Sequence, residues 1–284
     1  MASWRLTNEV LDLGAPLAVG IVNVTDDSFF EGARSETPER AIADGMALAE
    51  EGFDLLDVGA VAARSGPPVS IEDEAARLVP VVEELAVRAG VPVSADTFQA
   101  PVAALALHAG AAAINDISGG ADAELLELVG ERGCGYVLMH IEGPPRADRE
   151  PTAHDDPVVH LLGWFEERIE AAMARGVGED QIAIDPGLDF DLSVSDDLEI
   201  LRRLDELHAL GRPLFVALSR KDFLGAVLAG SWEGRAPAAE REWATAAATA
   251  LAVDAGAQMV RLHDRSALDA LRTAAAIRGR SADG

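Results

Sequence analysis

Short apolar runs alternate with longer helical patterns along this chain, and each helical pattern ends in a glycine just before the next apolar run. Glycine adopts the left-handed backbone conformation at little cost, so a glycine in this position is typical of a helix end. Seven junctions share the pattern, at Gly52, Gly90, Gly110, Gly133, Gly176, Gly211 and Gly256. The repeat predicts a chain in which strands and helices alternate many times.

The apolar runs have the length of buried strands. Eight of them occur, at residues 17–23, 53–59, 92–97, 112–117, 136–140, 182–185, 214–219 and 259–263. Nearly continuous apolar runs are typical of parallel strands that are covered on both faces. Between them the spacing is helical, as where Leu78, Val82 and Leu85 fall on one face. Eight such units favour a closed (β/α)8 TIM barrel, an α/β fold, over an open doubly wound sheet.

We expect a single domain. Residues 17–277 are predicted to form the barrel, after a lead-in at residues 1–16 that resembles a hairpin or plug. Residues 278–284 are polar and are predicted to be a frayed tail. A chain of 284 residues buries enough surface to fold without disulfides.

The composition limits the partners and the location. A formal net charge of −26 argues against nucleic-acid binding, for which clustered basic side chains are expected. The acidity leaves two interpretations open, a salt-adapted enzyme and an ordinary acidic protein. One cysteine, Cys134, together with strand-sized apolar runs and no signal-peptide pattern, predicts a cytoplasmic protein that does not enter a membrane.

Polar side chains stand at the ends of all eight predicted strands. In a closed parallel barrel these ends project into one mouth, the face that carries the active site. They are Asn23, Asp57, Asp96, Asn115, His140, Asp185, Ser219, Lys221, Arg261 and His263. Lys221 is the only lysine beside 22 arginines. Because an ammonium is a compact donor and a guanidinium a flat fork, we expect Lys221 to contact a ligand.

The acidic and amide groups suggest the chemistry of that ligand. Asp96, Asn115 and Asp185 suit a flat heterocycle with an amino-pyrimidine edge, because a carboxylate accepts two parallel N–H bonds. Lys221 could then donate to a carbonyl oxygen of the same ring. Phe190 follows Asp185-Pro-Gly and is placed to cover a ring at the mouth.

A second group of residues predicts an anion site. Asn23 lies on the first strand and Arg261 and His263 on the last, and these strands become neighbours when the barrel closes. An arginine, a histidine and an amide that converge in this way are suited to phosphate.

No zinc site is predicted. We find no histidine and cysteine cluster with zinc spacing, and Cys134 stands alone. His140 is predicted to be structural. The remaining histidines are predicted to be surface residues, namely His108, His154, His160 and His208.

Eight short motifs also resemble one known family. They are Ile21-Val-Asn-Val-Thr with Asp27-Ser-Phe, Asp57-Val-Gly, Ser94-Ala-Asp-Thr, Ile114-Asn-Asp-Ile, Leu138-Met-His, Ile184-Asp-Pro-Gly, Leu218-Ser-Arg-Lys and Val260-Arg-Leu-His-Asp. In this order they are similar to the dihydropteroate synthases, pterin-binding (β/α)8 enzymes of folate biosynthesis, from about residue 17 to the end of the chain.

The resemblance implies a reaction and its participants. Family members condense 6-hydroxymethyl-7,8-dihydropterin pyrophosphate with p-aminobenzoate, release pyrophosphate, usually use Mg2+ and are typically homodimers. By resemblance the pterin would be held by Asp96, Asn115, Asp185 and Lys221. Asn23, Arg261 and His263 would hold the pyrophosphate, with Asn23 near the metal, and Lys221, Arg261 and His263 would be catalytic. The aminobenzoate site would be shaped by Ser219 and by the first two loops, which include Phe29 and Arg64.

Three loops depart from the family pattern. Asp26 replaces a proline, and Ala63, within the altered stretch 60–63, stands where a threonine is usual. Residues 188–192 replace Phe-Gly-Phe-Gly-Lys. These departures leave open a pterin-binding paralogue or accessory protein without synthase activity. A second alternative, from the same superfamily, is a methyltransferase that uses methyltetrahydrofolate. The anion pair of Arg261 and His263 argues against the methyltransferase, whose reaction releases no pyrophosphate.

Overall fold

The structure, a computed structural model, describes residues 2–24, 37–61, 68–147, 151–263 and 265–280. Ten strands lie in these ranges: β1 (Ser3–Arg5), β2 (Val10–Asp12), β3 (Leu17–Asn23), β4 (Leu55–Gly59), β5 (Val93–Asp96), β6 (Ala113–Asp116), β7 (Gly135–Met139), β8 (Ile182–Asp185), β9 (Phe215–Ala217) and β10 (Met259–Leu262). Strands β3 to β10 form one parallel sheet in the order β8-β7-β6-β5-β4-β3-β10-β9. The two edges meet where Ile184 bridges Leu214, and the amide of Ile184 donates to the carbonyl of Pro213 at 2.9 Å. The predicted (β/α)8 barrel is therefore confirmed.

Helices surround the barrel and cover the outer face of the sheet. They are α1 (Pro38–Glu51), α2 (Ile71–Arg88), α3 (Ala100–His108), α4 (Ala123–Arg132), α5 (Pro157–Ala174), α6 (Val194–Arg202), α7 (Asp222–Ala229), α8 (Glu242–Asp254) and α9 (Arg265–Ile277). The stripe of Leu78, Val82 and Leu85 on α2 is fully buried, as its spacing predicts. No helix in the described ranges combines the length and apolar composition that a membrane span requires.

The helix-to-strand junctions follow the glycine pattern of the sequence. All seven predicted glycines have positive φ angles, between 64° at Gly133 and 111° at Gly110. Five of the eight barrel strands are shorter than the predicted apolar runs, by one or two residues at an end, while β3 and β8 match theirs and β7 is shifted by one residue. His140, Ser219 and His263 consequently lie just beyond the ends of β7, β9 and β10.

The amino-terminal hairpin closes the end of the barrel where the strands begin. Strands β1 and β2 pair antiparallel, and the indole Nε1 of the fully buried Trp4 donates to the carbonyl of Gln181 at 2.6 Å. Trp4 packs with Leu6 and Leu13 against the first inward-facing residues of the strands, among them Val19 and Phe215. Since this end is filled with apolar side chains, polar groups inside the barrel are confined to the opposite end.

Candidate active site

The carboxyl-terminal ends of the strands carry the polar side chains that the sequence analysis selected. The selected polar residues that the structure describes at this face are Asn23, Asp57, Asp96, Asn115, His140, Asp185, Ser219, Lys221, Arg261 and His263, and Phe190 lies beside them. Asn115 and Asp185 are buried, and the Asp96 side chain is 12% exposed. Phe29 and Arg64, predicted for the aminobenzoate site, lie outside the described residues, as do Asp26 and Ala63.

Asp57 on β4 is the centre of the hydrogen-bond network at the mouth. Its carboxylate is fully buried and accepts from Arg261 Nε at 2.6 Å, from Ser94 Oγ at 2.6 Å and from Asn115 Nδ2 at 3.0 Å. Arg261 Nη2 also donates to Asp96 Oδ2 at 3.0 Å. Asp57 was predicted at a strand end with no ligand assigned to it, and no role was predicted for Ser94. The period of two along β4 and β5 was the available signal, because it points Asp57 and Ser94 into the barrel.

One polar atom of the Asn115 side chain has no hydrogen-bond partner among the described residues. Its amide nitrogen is used by Asp57, whereas its Oδ1 is buried and has no hydrogen-bond partner among the described residues. A buried acceptor without a donor costs about 1–3 kcal/mol. The arrangement can therefore accept an N–H group from a ligand next to Asp96.

The predicted anion group is divided between two contacts. Arg261 faces Asp57 and Asp96, while His263 Nδ1 lies 2.7 Å from Ser219 Oγ at the end of β9. Asn23 stands beside Gly59 in the β3–β4 register. Arg261 thus contacts two carboxylates, Asp57 and Asp96, and lies in the strand that leads to His263. Its contact with an anion stays a prediction.

Two carboxyl groups at the mouth titrate near neutral pH. Burial raises the pKa of Asp96 to about 7, and the negative charge of Asp57 adds to the increase. Burial likewise raises the pKa of Asp185 to about 6, although the amide of Gly187, which donates to it at 2.9 Å, and the charge of Lys221 oppose the change. Groups of this kind accept N–H donors when they are ionised and donate when they are protonated.

Lys221 occupies a tightly built corner between β9 and α7. Its Nζ donates to the carbonyl of Leu188 at 3.0 Å and lies 4.5 Å from the ring centroid of Phe190. Arg220, with a φ of 57°, turns the chain, and Arg241 holds the corner by donating to the Arg220 carbonyl at 2.8 Å. The ammonium is thereby fixed beside an aromatic ring at the mouth, where a cation–π contact stabilises it.

The altered loop at residues 188–192 shows how the glycine replacements are accommodated. Asp189 and Asp191, which stand where the resembling family has glycines, have φ angles of 73° and 64°. Aspartate tolerates this conformation better than most residues. Asp189 also accepts hydrogen bonds from the amides of Asp222 at 2.7 Å and Phe223 at 3.0 Å, at the start of α7. The loop is thus joined to the Lys221 corner by contacts that glycine cannot make.

A cluster of histidines beside the mouth corrects the prediction for His154 and His160. Glu142 Oε1 lies 2.5 Å from His160 Nε2, 3.2 Å from His140 Nε2 and 3.6 Å from His154 Nε2. His154 and His160 are therefore partly buried partners of a carboxylate and not surface residues. His140, Glu142 and His160 also offer ligand atoms within 4.8 Å of one another, a grouping that the absence of zinc spacing in the sequence did not predict. The pattern escaped notice because 20 residues separate His140 from His160.

Fold and site together define an α/β-barrel enzyme with a polar, ionisable mouth that suits a small nitrogen-rich molecule. Residues 19–263 match the model of the pterin-binding enzyme family. The chain belongs to this family, and its curated relatives identify it more closely with the dihydropteroate synthases. The dihydropteroate synthase of Mycobacterium leprae is 40% identical over 94% of this chain and 95% of its own length.

Solved structures agree with the sequence comparison. A dihydropteroate synthase from Xanthomonas albilineans with 4-aminobenzoic acid superimposes with a TM-score of 0.87, at 36% identity over 98% of each chain. The same enzyme in complex with 7,8-dihydropteroate gives a TM-score of 0.84 at 36% identity, over 97% of this chain and 98% of that one. The predicted family and the assignment as a transferase are confirmed.

Proposed function

We propose that this chain condenses 6-hydroxymethyl-7,8-dihydropterin pyrophosphate with p-aminobenzoate to give 7,8-dihydropteroate and pyrophosphate. The observation that carries the proposal is the unpaired Asn115 Oδ1 between the mouth carboxylates, because a pterin edge supplies N–H donors to such a set. The ligands of the Xanthomonas enzyme, aminobenzoate and dihydropteroate, support substrates of these two kinds.

The pterin is assigned to the acidic side of the mouth. Asp96, Asn115 and Asp185 accept the ring N–H groups, and Lys221 donates to the ring carbonyl. The nearby Phe190, 4.5 Å from the Lys221 ammonium, covers the ring face. Since the pKa values of Asp96 and Asp185 are about 7 and about 6, both carboxyl groups are acceptors above neutral pH.

The chemical step is a substitution at the pterin methylene. The C–O bond to pyrophosphate breaks and its electron pair leaves with the pyrophosphate, while the amine nitrogen forms the new C–N bond and loses a proton. Arg261 and His263 stabilise the departing anion, which lowers the barrier because the charge develops in the transition state. Ser219, which lies 2.7 Å from His263 Nδ1, faces the incoming aminobenzoate. Phe29 and Arg64, which the family resemblance assigns to the same substrate, lie outside the described residues.

Magnesium suits Asn23. This ion prefers oxygen ligands and is commonly held by one or two protein oxygens together with substrate phosphates. Asn23 offers an amide oxygen at the last position of β3. The imidazole-rich set at Glu142 has the wrong chemistry for the same ion. When bound, Mg2+ supplies charge neutralisation on the leaving group.

The activity is tested with the full chain, the pterin pyrophosphate, Mg2+ and radiolabelled p-aminobenzoate. Labelled dihydropteroate is expected from the wild type, and Asp185→Asn should lose most of this activity. The exposed Asp205→Asn serves as a control and should keep it.

One observation favours a second candidate, a pterin-binding accessory protein: the replacement of the family pattern at residues 60–63. Calorimetric pterin binding without labelled product would reject the synthase and establish the accessory protein.

We also infer that two copies associate in the cytoplasm. Helices α7 and α8 pack together and expose Val227, Leu228, Trp243 and Leu251, with Trp243 82% exposed. Apolar side chains grouped in this way are typical of an interface. Light scattering should report a dimer that Trp243→Glu dissociates, whereas Val87→Glu at the equally exposed α2 position should leave it intact. A monomeric wild type would refute the inference. The single buried thiol of Cys134 accords with a reducing compartment.

A further inference from the structure

The histidine cluster at Glu142 is separate from the residues assigned to the pterin and to the anion. Its ligand atoms come from the segment after β7, from the loop before α5 and from the first turn of α5. His140 is completely buried and packs edge-on against Trp164, with ring centroids 4.9 Å apart. Its ring makes its polar contact through Nε2, which is directed at Glu142.

His154 is oriented by a carboxylate behind it. Its Nδ1 lies 2.9 Å from Asp196 Oδ2, and the same carboxylate oxygen accepts from the His154 amide at 2.9 Å. With the Nδ1 proton directed at Asp196, the lone pair of Nε2 faces Glu142, 3.6 Å away. A histidine whose second nitrogen donates to a carboxylate is the usual arrangement of a metal ligand. His160 stacks on His154 with ring centroids 4.0 Å apart, so both imidazoles approach Glu142 from one side.

We propose that His140, Glu142 and His160, with His154 as a fourth ligand, bind one divalent transition-metal ion. Two or three imidazoles with one carboxylate form the ligand set of zinc and its neighbours, whereas Mg2+ and Ca2+ require oxygen ligands. The Nε2 atoms of the three histidines lie 2.5–3.6 Å from the same oxygen, Glu142 Oε1, and small side-chain shifts would let one ion bind between that oxygen and the nitrogens.

The histidine cluster is linked by hydrogen bonds to elements that form the barrel mouth. The amide of His140 donates to the carbonyl of Asp185 at 2.8 Å, so one ligand is linked to the end of β8. A metal bound here joins the segment after β7 to α5 and, through Asp196, to α6. The ion would therefore brace the lip of the mouth without contacting the substrates, and the proposal does not depend on the synthase reaction.

The test uses full-length protein freed of metal by a chelator and titrated with Co2+, then with Zn2+. We expect one Co2+ per chain with the visible absorption of a nitrogen-ligated ion, displacement by Zn2+ and none by millimolar Mg2+. Glu142→Gln and His160→Asn should each weaken Co2+ binding at least about tenfold, and Asp196→Asn about tenfold. His208→Asn, at an exposed histidine remote from the cluster, is the matched control.

The possible results distinguish a specific metal site from nonspecific binding to exposed histidines. Wild-type protein without stoichiometric Co2+, or displacement of Co2+ by Mg2+, overturns the proposal. Equal weakening by His208→Asn and Glu142→Gln also overturns it, because the ion would then bind exposed imidazoles. Circular dichroism of each metal-free variant checks its folding, and His160→Asn, at a partly exposed position, provides the readout if Glu142→Gln is unfolded. Synthase assays on the same samples report separately on the proposed reaction.

Discussion

Replacing Asp96 by asparagine should stabilise the ligand-free protein, and the gain should depend on pH. The Asp96 carboxyl is nearly buried, and Asp57, also buried, lies on the neighbouring strand. Burial followed by repulsion from Asp57 raises its pKa to about 7 from an ordinary 3.8. Asparagine keeps an oxygen for Arg261 Nη2 and removes the charge.

The sign and size follow from proton linkage. A carboxyl whose folded-state pKa is raised contributes stability that is fully present below its unfolded pKa. That contribution is lost as the pH rises through the window between 3.8 and about 7. Each pH unit in this window is worth about 1.4 kcal/mol, so the wild type loses up to about 3 kcal/mol between about pH 5 and pH 8. The asparagine side chain does not titrate. The free energy of unfolding of Asp96→Asn, relative to that of the wild type, should therefore increase by about 2–3 kcal/mol from about pH 5 to pH 8.

Urea unfolding of the wild type and of Asp96→Asn, at about pH 5 and at about pH 8, gives the free energy of unfolding of each protein. The quantity to compare is the difference between the two proteins at each pH. Asp205→Asn, an exposed substitution outside the mouth, should show no comparable change between the two pH values. If the stability difference between Asp96→Asn and wild type is the same at both pH values, Asp96 does not carry a raised pKa and the account of the mouth electrostatics is wrong. Pterin binding by the variant should be lost at both pH values, since asparagine cannot accept two N–H bonds as a carboxylate does.

Four further outcomes are expected. Pterin affinity of the wild type, followed by calorimetry, should fall as the pH drops below about 7, because Asp96 and then Asp185 take up protons. Lys221→Arg should lower turnover at least about tenfold, since a guanidinium does not fit the ammonium position beside Phe190; an unchanged rate would remove Lys221 from the site. Gly187→Ala should cost more than about 2 kcal/mol in urea unfolding, because Gly187 has a φ of 67° and a Cβ there would collide with the His140 carbonyl. If the charge of −26 is salt adaptation, the melting temperature should climb steeply with KCl, and a flat response would favour the ordinary acidic protein.

The barrel was predictable because its signals are local and repeated. A helix commonly ends with a residue in the left-handed conformation, and glycine adopts that conformation at little cost. In the described part of the chain the seven predicted glycines, from Gly52 to Gly256, all have positive φ angles. Strand ends were less well defined. The apolar run at residues 214–219 gives only the three residues of β9, because the chain turns early toward the left-handed Arg220.

The contacts within the site were less predictable because they join distant parts of the chain. Asp57 and Arg261 are 204 residues apart, and nothing local to either residue specifies their pairing. The histidine cluster escaped notice for the same reason, since its spacing matches no short metal motif. The loop at residues 188–192 is a different case: its sequence suggested a lost function, whereas Asp189 and Asp191 adopt the positive φ angles that glycines would supply.

The position of Arg261 couples the two halves of the mouth. Its guanidinium partly neutralises Asp57 and Asp96, while its strand places it beside His263. An anion that draws Arg261 away from Asp96 removes a positive charge that lowers the pKa of this carboxyl, and Asp96 then holds its proton more tightly. In the proposed complex the pterin supplies N–H donors to Asp96, which favours the ionised form and compensates for the loss. The same proposal has the cations of this mouth contact both the pterin and the pyrophosphate, in a chain with a net charge of −26. A pterin joined to pyrophosphate should therefore bind more tightly than the two groups supplied separately, because the second contact becomes intramolecular.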